Sequence, residues 1–243
     1  MSPGLERTRR ILKSNLAFMS MDLIQEFIVQ LKHSPPGAVF HPWWQSDGTN
    51  DIGPRAPAIR RAQLRAYLCD RMGKARLIVI GEALGYRGGH FSGIPMTSEQ
   101  ILLGKKQAAG IDPAGVFAKI QPRRTSRQDK YPRGFSEPTA TMVWSRLLRL
   151  GFHPIEFVIW NAFPWHSYNP RVGILSNRAP NKTERSAGLP VLKAFLELFR
   201  SDRVVALGKI AGAQLDQLGI TARRIRHPAS GGARLFKEQI AQL

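Results

Sequence analysis

Apolar residues follow two different patterns along the chain. Four short runs are strand-like, at residues 76–80, 156–160, 203–207 and about 221–226. Apolar residues at helical spacing predict helices over 1–33, 57–73, 98–111, 138–152, 189–201, 208–219 and the end of the chain. The alternation predicts an α/β fold, a single αβα sandwich around a central, mainly parallel four-stranded sheet. We expect an N-terminal helical and loop extension over 1–73 and the sandwich domain over 74–243.

Each predicted strand runs into a short polar or glycine-rich motif. The motifs are GEALGY at 81–86, NAFPWH at 161–166, GK at 208–209 and HPAS at 227–230. Because the carboxyl ends of parallel strands lie along one edge of a sheet, these motifs should converge on one site. His90 and His166 are further candidates in or near the motifs, and their spacing does not suggest a metal site.

Composition narrows the classes of protein and partner. Lys and Arg total 36 against 17 Asp and Glu, a formal charge of +19, which favours a polyanionic partner over a merely basic surface. The single cysteine, Cys69, excludes an intrachain disulfide and a cysteine-bound cluster, and agrees with a reducing cytoplasm. The sequence shows neither a secretory signal nor a membrane span, and we expect no metal and no cofactor.

Two irregular segments leave alternatives open. Residues 111–137 carry several basic side chains between prolines, and the segment is either a disordered insertion or a loop ordered against phosphates. The Asp and Asn residues near 47–51 lack the spacing of a calcium-binding loop, so a solvated turn is expected there.

Taken singly, the motifs have ordinary explanations. GEALGYRGG is neither a dinucleotide fingerprint nor a P-loop, and its glycines are compatible with a tight turn. Asn161 could cap a turn, although a side-chain amide is also suited to reading the edge of a base. His227 could bind backbone, or donate a hydrogen bond to a developing oxyanion.

Together the motifs resemble the uracil-DNA glycosylase superfamily over about residues 74–243. The resemblance rests on Gly-Glu-Ala-x-Gly after the first strand, Asn161 ending a middle strand, and His-Pro-x-Ser after the last. It implies base excision repair: uracil is flipped out of DNA and its N-glycosidic bond is hydrolysed, leaving an abasic site. The matched motifs contain no lysine for a Schiff base, so a monofunctional enzyme without lyase activity is expected.

The resemblance also implies roles for individual residues. Glu82 would orient or activate water and His227 would stabilise the departing uracil anion, while Asn161 would bind the pyrimidine edge. Family members stack an aromatic ring on uracil where this chain has Met96, so either Met96 or the nearby Phe91 would cover the base. The substrate-binding set is Gly81, Ala83, Gly85, Tyr86, Phe91, Met96 and Asn161, with Ala83 standing where related motifs have an aspartate and Gly85 where they have a tyrosine.

Uracil-containing or abasic DNA is the expected partner, bound by a monomer. The expected DNA contacts are Arg87, Arg123, Arg124, Arg127, Ser230, Gly231 and Arg234. A second hypothesis is a non-catalytic or covalently trapping binder of such DNA, attached through His90 or His227. A third is an enzyme acting on a small molecule, against which a steep salt dependence of DNA binding would argue.

Overall fold

The computed structural model describes residues 21–243. Residues 21–30 are helical (α1), and the apolar side chains of Ile24, Phe27 and Ile28 are buried on one face. The part of the predicted N-terminal helices that falls in residues 1–20 lies outside the described residues. α1 and the rest of the chain share one hydrophobic cluster, which extends from Ile24 to Ile240.

Four strands form a parallel sheet, as predicted. The strands of the chain are β1 (Val39–Phe40), β2 (Leu77–Ala83), β3 (Phe157–Phe163), β4 (His166–Ser167), β5 (Val204–Leu207) and β6 (Arg223–Ile225). The sheet order is β3-β2-β5-β6, and β1 and β4 pair separately as a short antiparallel ladder. β2 and β3 are buried along most of their length, which explains their continuous apolar sequences.

The helices cover the sheet, with bounds that differ from the prediction in two places. The remaining helices are α2 (Ala56–Arg71), α3 (Gly89–Ser92), α4 (Glu99–Leu102), α5 (Pro138–Arg149), α6 (Lys182–Leu198), α7 (Lys209–Gln217) and α8 (Ala233–Ile240). Within residues 21–243, none of the helices combines the length and apolar character that crossing a bilayer requires.

The helix predicted over 98–111 is wrong in its length. α4 ends at Leu102, and the chain continues through turns and the 3-10 helix Gln107–Ala109. Gly104 and Gly110 adopt φ values of +71° and +80°, left-handed conformations that end helices. Ser98 lies at the predicted capping position but makes no side-chain capping hydrogen bond.

α6 begins seven residues before its predicted start at 189, because Asn181 caps it. The Asn181 side chain accepts from the N–H of Glu184, and the Glu184 carboxylate accepts from the N–H of Asn181, a reciprocal capping box. Lys182 and Arg185 therefore belong to the first turns of α6.

The segment before α2 is a buried polar layer, which corrects the expectation of a solvated turn. Asp47 and Asp51 are 6% and 4% exposed. Asp51 forms a bidentate ion pair with Arg60 of α2, at 2.7 and 3.0 Å. Trp43 is fully buried beside them and donates its indole N–H to the carbonyl of Gly93, which fastens this segment to the core.

Candidate active site

A cleft of about 540 Å³ opens at the carboxyl edge of the sheet. Four segments line it: the loop after β2 (82–87), the start of α5 (137–139), the approach to α6 (177–180) and the loop after β6 (226–230). Met96 and Asn161 complete the lining. The sequence motifs that end β2, β3 and β6 thus meet at one site, whereas Lys209 lines a neighbouring depression.

Asn161 is fully buried at the end of β3, and backbone groups hold both ends of its amide. The orientation assigned from its neighbours has Nδ2 donating to the Trp160 carbonyl at 3.1 Å and Oδ1 accepting from the Leu84 N–H at 3.2 Å. Each end uses only part of its capacity, so one N–H and one lone pair are left for a ligand. Asn161 can therefore present a donor and an acceptor side by side to the cleft.

Gly81 lies opposite Asn161 in the β2–β3 register and leaves space for its amide. A Cβ on Gly81 would lie 2.5 Å from a terminal atom of the Asn161 amide and 3.0 Å from Met96 Sδ. Neither distance accommodates a side chain, so glycine is required at this position.

Backbone strain coincides with the cleft. Among residues 21–243, the non-glycine residues with positive φ are Met96 (46°) and Ser230 (51°), and both line the cleft. Such conformations cost about 1–3 kcal/mol and tend to occur at functional sites. At Met96 the strained turn places the thioether among the residues lining the cleft and next to Gly81.

His227 is held in one tautomer by its own loop. Its Nδ1 accepts from the N–H of Ala229 at 3.1 Å, so in the neutral ring the proton is on Nε2. Burial and the charge of Arg226 lower the pKa of His227 to about 4. At neutral pH the ring is consequently an uncharged donor through Nε2.

Glu82 lines the cleft from the carboxyl end of β2, and its carboxylate reaches the start of α7. It lies so close to Gly208 that a Cβ there would overlap Oε1. Burial raises the pKa of Glu82, while the backbone N–H of Ile210 and the charge of Arg226 oppose that rise. The predicted water-handling carboxylate is therefore in the cleft, fixed against a helix N-terminus.

The rest of the first motif supplies mainly backbone. Ala83 has no group that could hold water through its side chain, and Gly85 faces Asn177 and Glu137 across the cleft. The N–H of Tyr86 donates to Asn177 Oδ1 at 3.0 Å, which joins this loop to the loop before α6.

Phe91, predicted as an alternative ring for covering the base, lies outside the cleft. It is fully buried and stacks on Phe135 with ring centroids 4.3 Å apart and planes 7° apart. Of the two residues predicted to cover the base, only Met96 lines the cleft.

His90 and His166 also lie outside the cleft, joined in a buried chain of polar groups. His166 Nε2 is 2.7 Å from the Ser176 carbonyl, and the two Nδ1 atoms are 3.0 Å apart. His166 therefore donates through Nε2 and accepts at Nδ1 from His90, whose Nε2 is left facing Asp47 at 3.6 Å. Both rings are fully buried, so His90 has no access to DNA for a covalent attachment.

The predicted DNA contacts fall into two groups. Arg87 is exposed at the cleft and its Nε donates to the Tyr86 hydroxyl, while Ser230 and Gly231 form the turn after His227. Arg234 is exposed on α8 and pairs with Glu238. These residues lie at or near the mouth of the cleft.

The second group lies in the loop of residues 111–137, which carries several basic side chains and is absent from the cleft lining. Arg123 is exposed, and Arg127 pairs with Asp129 at 2.8 Å. Arg124 donates to the carbonyls of Ser126 and Tyr131 and therefore holds its own loop together. Residues 111–137 form an ordered loop held by contacts within the protein, which is neither a disordered insertion nor a loop ordered against phosphates.

Some lining residues were not predicted from the sequence. The polar and charged ones are Glu137, Thr139, Asn177, Arg178 and Arg226. Arg226 directly precedes His227, so the motif that predicted His227 could also have pointed to Arg226 as a lining residue. Glu137 has the sequence context of an ordinary helix start before a proline, and Asn177 lies in a loop without a motif. In residues 21–243 no group of three or more His, Cys, Asp and Glu side chains is arranged to hold a metal ion.

The comparisons agree with this fold. The family model described as "Uracil DNA glycosylase superfamily" matches residues 70–239, and the chain belongs to that superfamily. Among solved structures, wild-type SMUG2 from Pedobacter heparinus is similar, with a TM-score of 0.58 and 15% sequence identity over 90% of this chain and 94% of the other. At that identity the likeness concerns the fold. No curated protein matches the sequence.

Proposed function

We propose that the protein is a uracil-DNA glycosylase that hydrolyses the N-glycosidic bond of a flipped uracil. The observation that carries the proposal is the pairing, in one cleft, of the partly satisfied Asn161 amide with the neutral, Nε2-protonated His227. One group suits recognition of the base and the other suits its departure as an anion.

The contacts around Asn161 favour uracil over cytosine. Uracil presents a carbonyl acceptor beside an N–H donor, which complements the spare N–H and spare lone pair of the amide. Cytosine presents the reverse order and would require the amide to turn over. Turning would place Nδ2 against the Leu84 N–H and Oδ1 against the Trp160 carbonyl, losing both backbone contacts.

His227 and Glu82 divide the chemistry in this proposal. The Nε2–H of His227 donates to the carbonyl oxygen on which negative charge develops as the bond to the sugar breaks. The carboxylate of Glu82 lines the same cleft. There it stabilises the positive charge of the oxocarbenium-like sugar, or orients the water that adds to this sugar. The residues lining the cleft, all in the described part of the chain, include no lysine, which supports hydrolysis without lyase activity.

The charge of the protein supports DNA as the substrate polymer. Arg87 and Arg226 lie at the cleft, and the formal charge is +19. About six phosphate contacts would reduce affinity roughly 10³-fold between about 50 and 200 mM salt.

The test is release of uracil from labelled single- and double-stranded oligonucleotides. We expect the wild type to release uracil and His227→Ala to be about 10²–10³-fold slower, the usual cost of losing one oxyanion donor. Asn161→Asp replaces the donating end by an acceptor and should lose most activity on uracil. Glu197→Gln, on the exposed surface of α6, is the control and should match the wild type.

A protein that binds uracil or abasic DNA without turnover is the second candidate. Ala83, which contributes no polar side chain to the water site, is the observation in its favour. Binding without uracil release, or a complex resistant to denaturant that is lost in His227→Ala, would favour this candidate. Multiple turnovers by the wild type would exclude it.

A further inference from the structure

Glu137 occupies the N-cap position of α5 but does not cap the helix. Its backbone is extended (φ −108°, ψ 105°) and its side chain makes no capping hydrogen bond. An acidic residue there normally binds free N–H groups of the first turn and gains from the helix dipole. The Glu137 side chain lines the cleft instead.

Glu137 is half-buried, and its carboxyl group is poorly satisfied. Oε2 is inaccessible to solvent and has no hydrogen-bond partner among the described residues. Oε1 has one long contact, from the Thr139 hydroxyl at 3.4 Å. The carboxyl packs against Gly88 so closely that a Cβ there would overlap it, and a Cβ on Gly85 would lie 3.5 Å from Oε1.

This placement is costly for the folded protein, because a buried carboxyl group without a partner forfeits its hydration. The helix gains no cap in exchange. Buried polar atoms without partners are rare in native proteins and call for an explanation such as a missing ligand. Here the orphaned Oε2 lies against Gly88, and Oε1 lies nearer Gly85, which lines the cleft in which the base would bind.

We propose that Glu137 determines base specificity by donating a hydrogen bond from its protonated carboxyl group to a carbonyl oxygen of the flipped base. This inference rests on the proposed function and adds a second recognition point to Asn161. Since the two residues belong to different segments of the lining, a base that satisfied both would be fixed in the plane of its ring.

The protonation state of Glu137 agrees with a donor role. Burial raises the pKa of Glu137 to about 7, with a small opposing effect of Thr139. The charged or titratable side chains that line the same cleft are Glu82, Tyr86, Arg87, Arg178, Arg226 and His227. Arg178 is already paired with Glu184, and burial lowers the pKa of His227 to about 4, so neither group changes charge around neutrality. Burial also raises the pKa of Glu82, but the backbone N–H of Ile210 and the charge of Arg226 oppose that rise.

The test measures binding without cleavage, so that it is independent of turnover. The probe is an oligonucleotide with 2′-fluoro-2′-deoxyuridine, whose fluorine disfavours the cationic sugar and blocks hydrolysis. A matched oligonucleotide carries a tetrahydrofuran abasic analogue at the same position. Affinities are measured from pH 6 to pH 8.5 at constant salt for the wild type, Glu137→Gln, Glu137→Ala and the surface control Glu197→Gln.

We expect the wild type to bind the fluorouridine probe up to about tenfold more weakly for each pH unit above 7, as the donor is lost. Glu137→Gln keeps a donor at every pH, so its affinity should be flat and exceed that of the wild type at pH 8.5. Glu137→Ala should bind weakly throughout, and Glu197→Gln should follow the wild type. With the abasic probe the four proteins should agree.

Two results would overturn the proposal: superimposable pH profiles for the wild type and Glu137→Gln, or the same pH dependence on the abasic probe. Thermal melts of each variant establish that it is folded. If the wild type shows the expected binding but releases no uracil, glycosylase activity fails while the role of Glu137 in base recognition stands.

Discussion

At the scale of single residues, Gly81 and Asn161 occupy paired positions on β2 and β3, and little space lies between them. The backbone carbonyl of Trp160 and N–H of Leu84 fix the amide, and Gly81 allows it to remain there. Trp160, Leu84 and Gly81 have no catalytic group in the cleft, yet together they fix the orientation of the Asn161 amide that would contact the base.

Gly81→Ala tests this arrangement. The new Cβ would lie 2.5 Å from the Asn161 amide, so we expect the amide to shift and uracil release to fall at least tenfold. Overpacking of this kind typically costs about 1–3 kcal/mol of stability. Gly48→Ala is the control, because a Cβ there meets nothing within 4 Å. Unchanged uracil release by a folded Gly81→Ala protein would contradict the role given to Gly81.

Some site residues could be predicted because their position in a motif coincides with a strand end. Asn161 and His227 follow predicted strands, so topology alone places them at the sheet edge. The sequence could not decide between Phe91 and Met96, since both are apolar residues in the segment that follows β2. The choice depends on the stacking of Phe91 with Phe135, a partner 44 positions away in the sequence.

At the scale of elements, the first residue of α4 serves another segment. The buried carboxylate of Glu99 accepts from the N–H groups of Thr125, Ser126 and Phe135 and from the Ser126 hydroxyl. One side chain therefore orders the basic loop of residues 111–137, which resembles an unstructured insertion in sequence.

Removing the Glu99 carboxylate should loosen that loop. Glu99→Ala leaves several buried N–H groups without an acceptor, and each such group costs about 1–3 kcal/mol. We expect a lower free energy of unfolding in urea and faster tryptic cleavage between residues 119 and 133. Asp129→Ala removes an exposed carboxylate from the same loop, and its unfolding free energy should stay within about 0.5 kcal/mol of the wild type.

Elements were predictable where local pattern and tertiary packing agree. β2 and β3 agree because both are apolar and buried, whereas β6 is an edge strand with two exposed arginines. α6 was placed too late because its apolar stripe begins after its cap, and the Asn181–Glu184 signature marks the true start. The hydrogen bond between Glu99 and Thr125 joins residues 26 positions apart, so no local sequence pattern predicts it.

At the scale of the whole molecule, several buried histidines make stability depend on pH. Burial is the main cause that lowers the pKa of His41 and His90 to about 3, and that of His166 and His227 to about 4, from 6.5. Between about pH 3 and pH 6.5, the unfolded chain therefore binds protons at these histidines more readily than the folded chain does. The stability these neutral rings contribute is complete above pH 6.5 and is lost as pH falls toward 3–4.

Urea denaturation at pH 7, 6 and 5 measures this loss. Each histidine contributes at most about 1.4 kcal/mol per pH unit below 6.5. His90→Gln removes one titrating ring and should make the pH dependence less steep, even though the variant starts from lower stability. His153→Gln changes an exposed histidine and should leave the slope as in the wild type. Equal slopes for all three proteins would contradict the assignment of His90 as a buried neutral ring.

The location of the tryptophans has a consequence for optical spectroscopy. All five indoles lie outside the cleft, and four of them, Trp43, Trp144, Trp160 and Trp165, have no exposed surface. Intrinsic tryptophan emission should therefore follow denaturation closely but barely respond to a base entering the cleft. A fluorescent nucleobase placed beside the target in the oligonucleotide, rather than the protein's own emission, is the reporter suited to watching a nucleotide leave the stack.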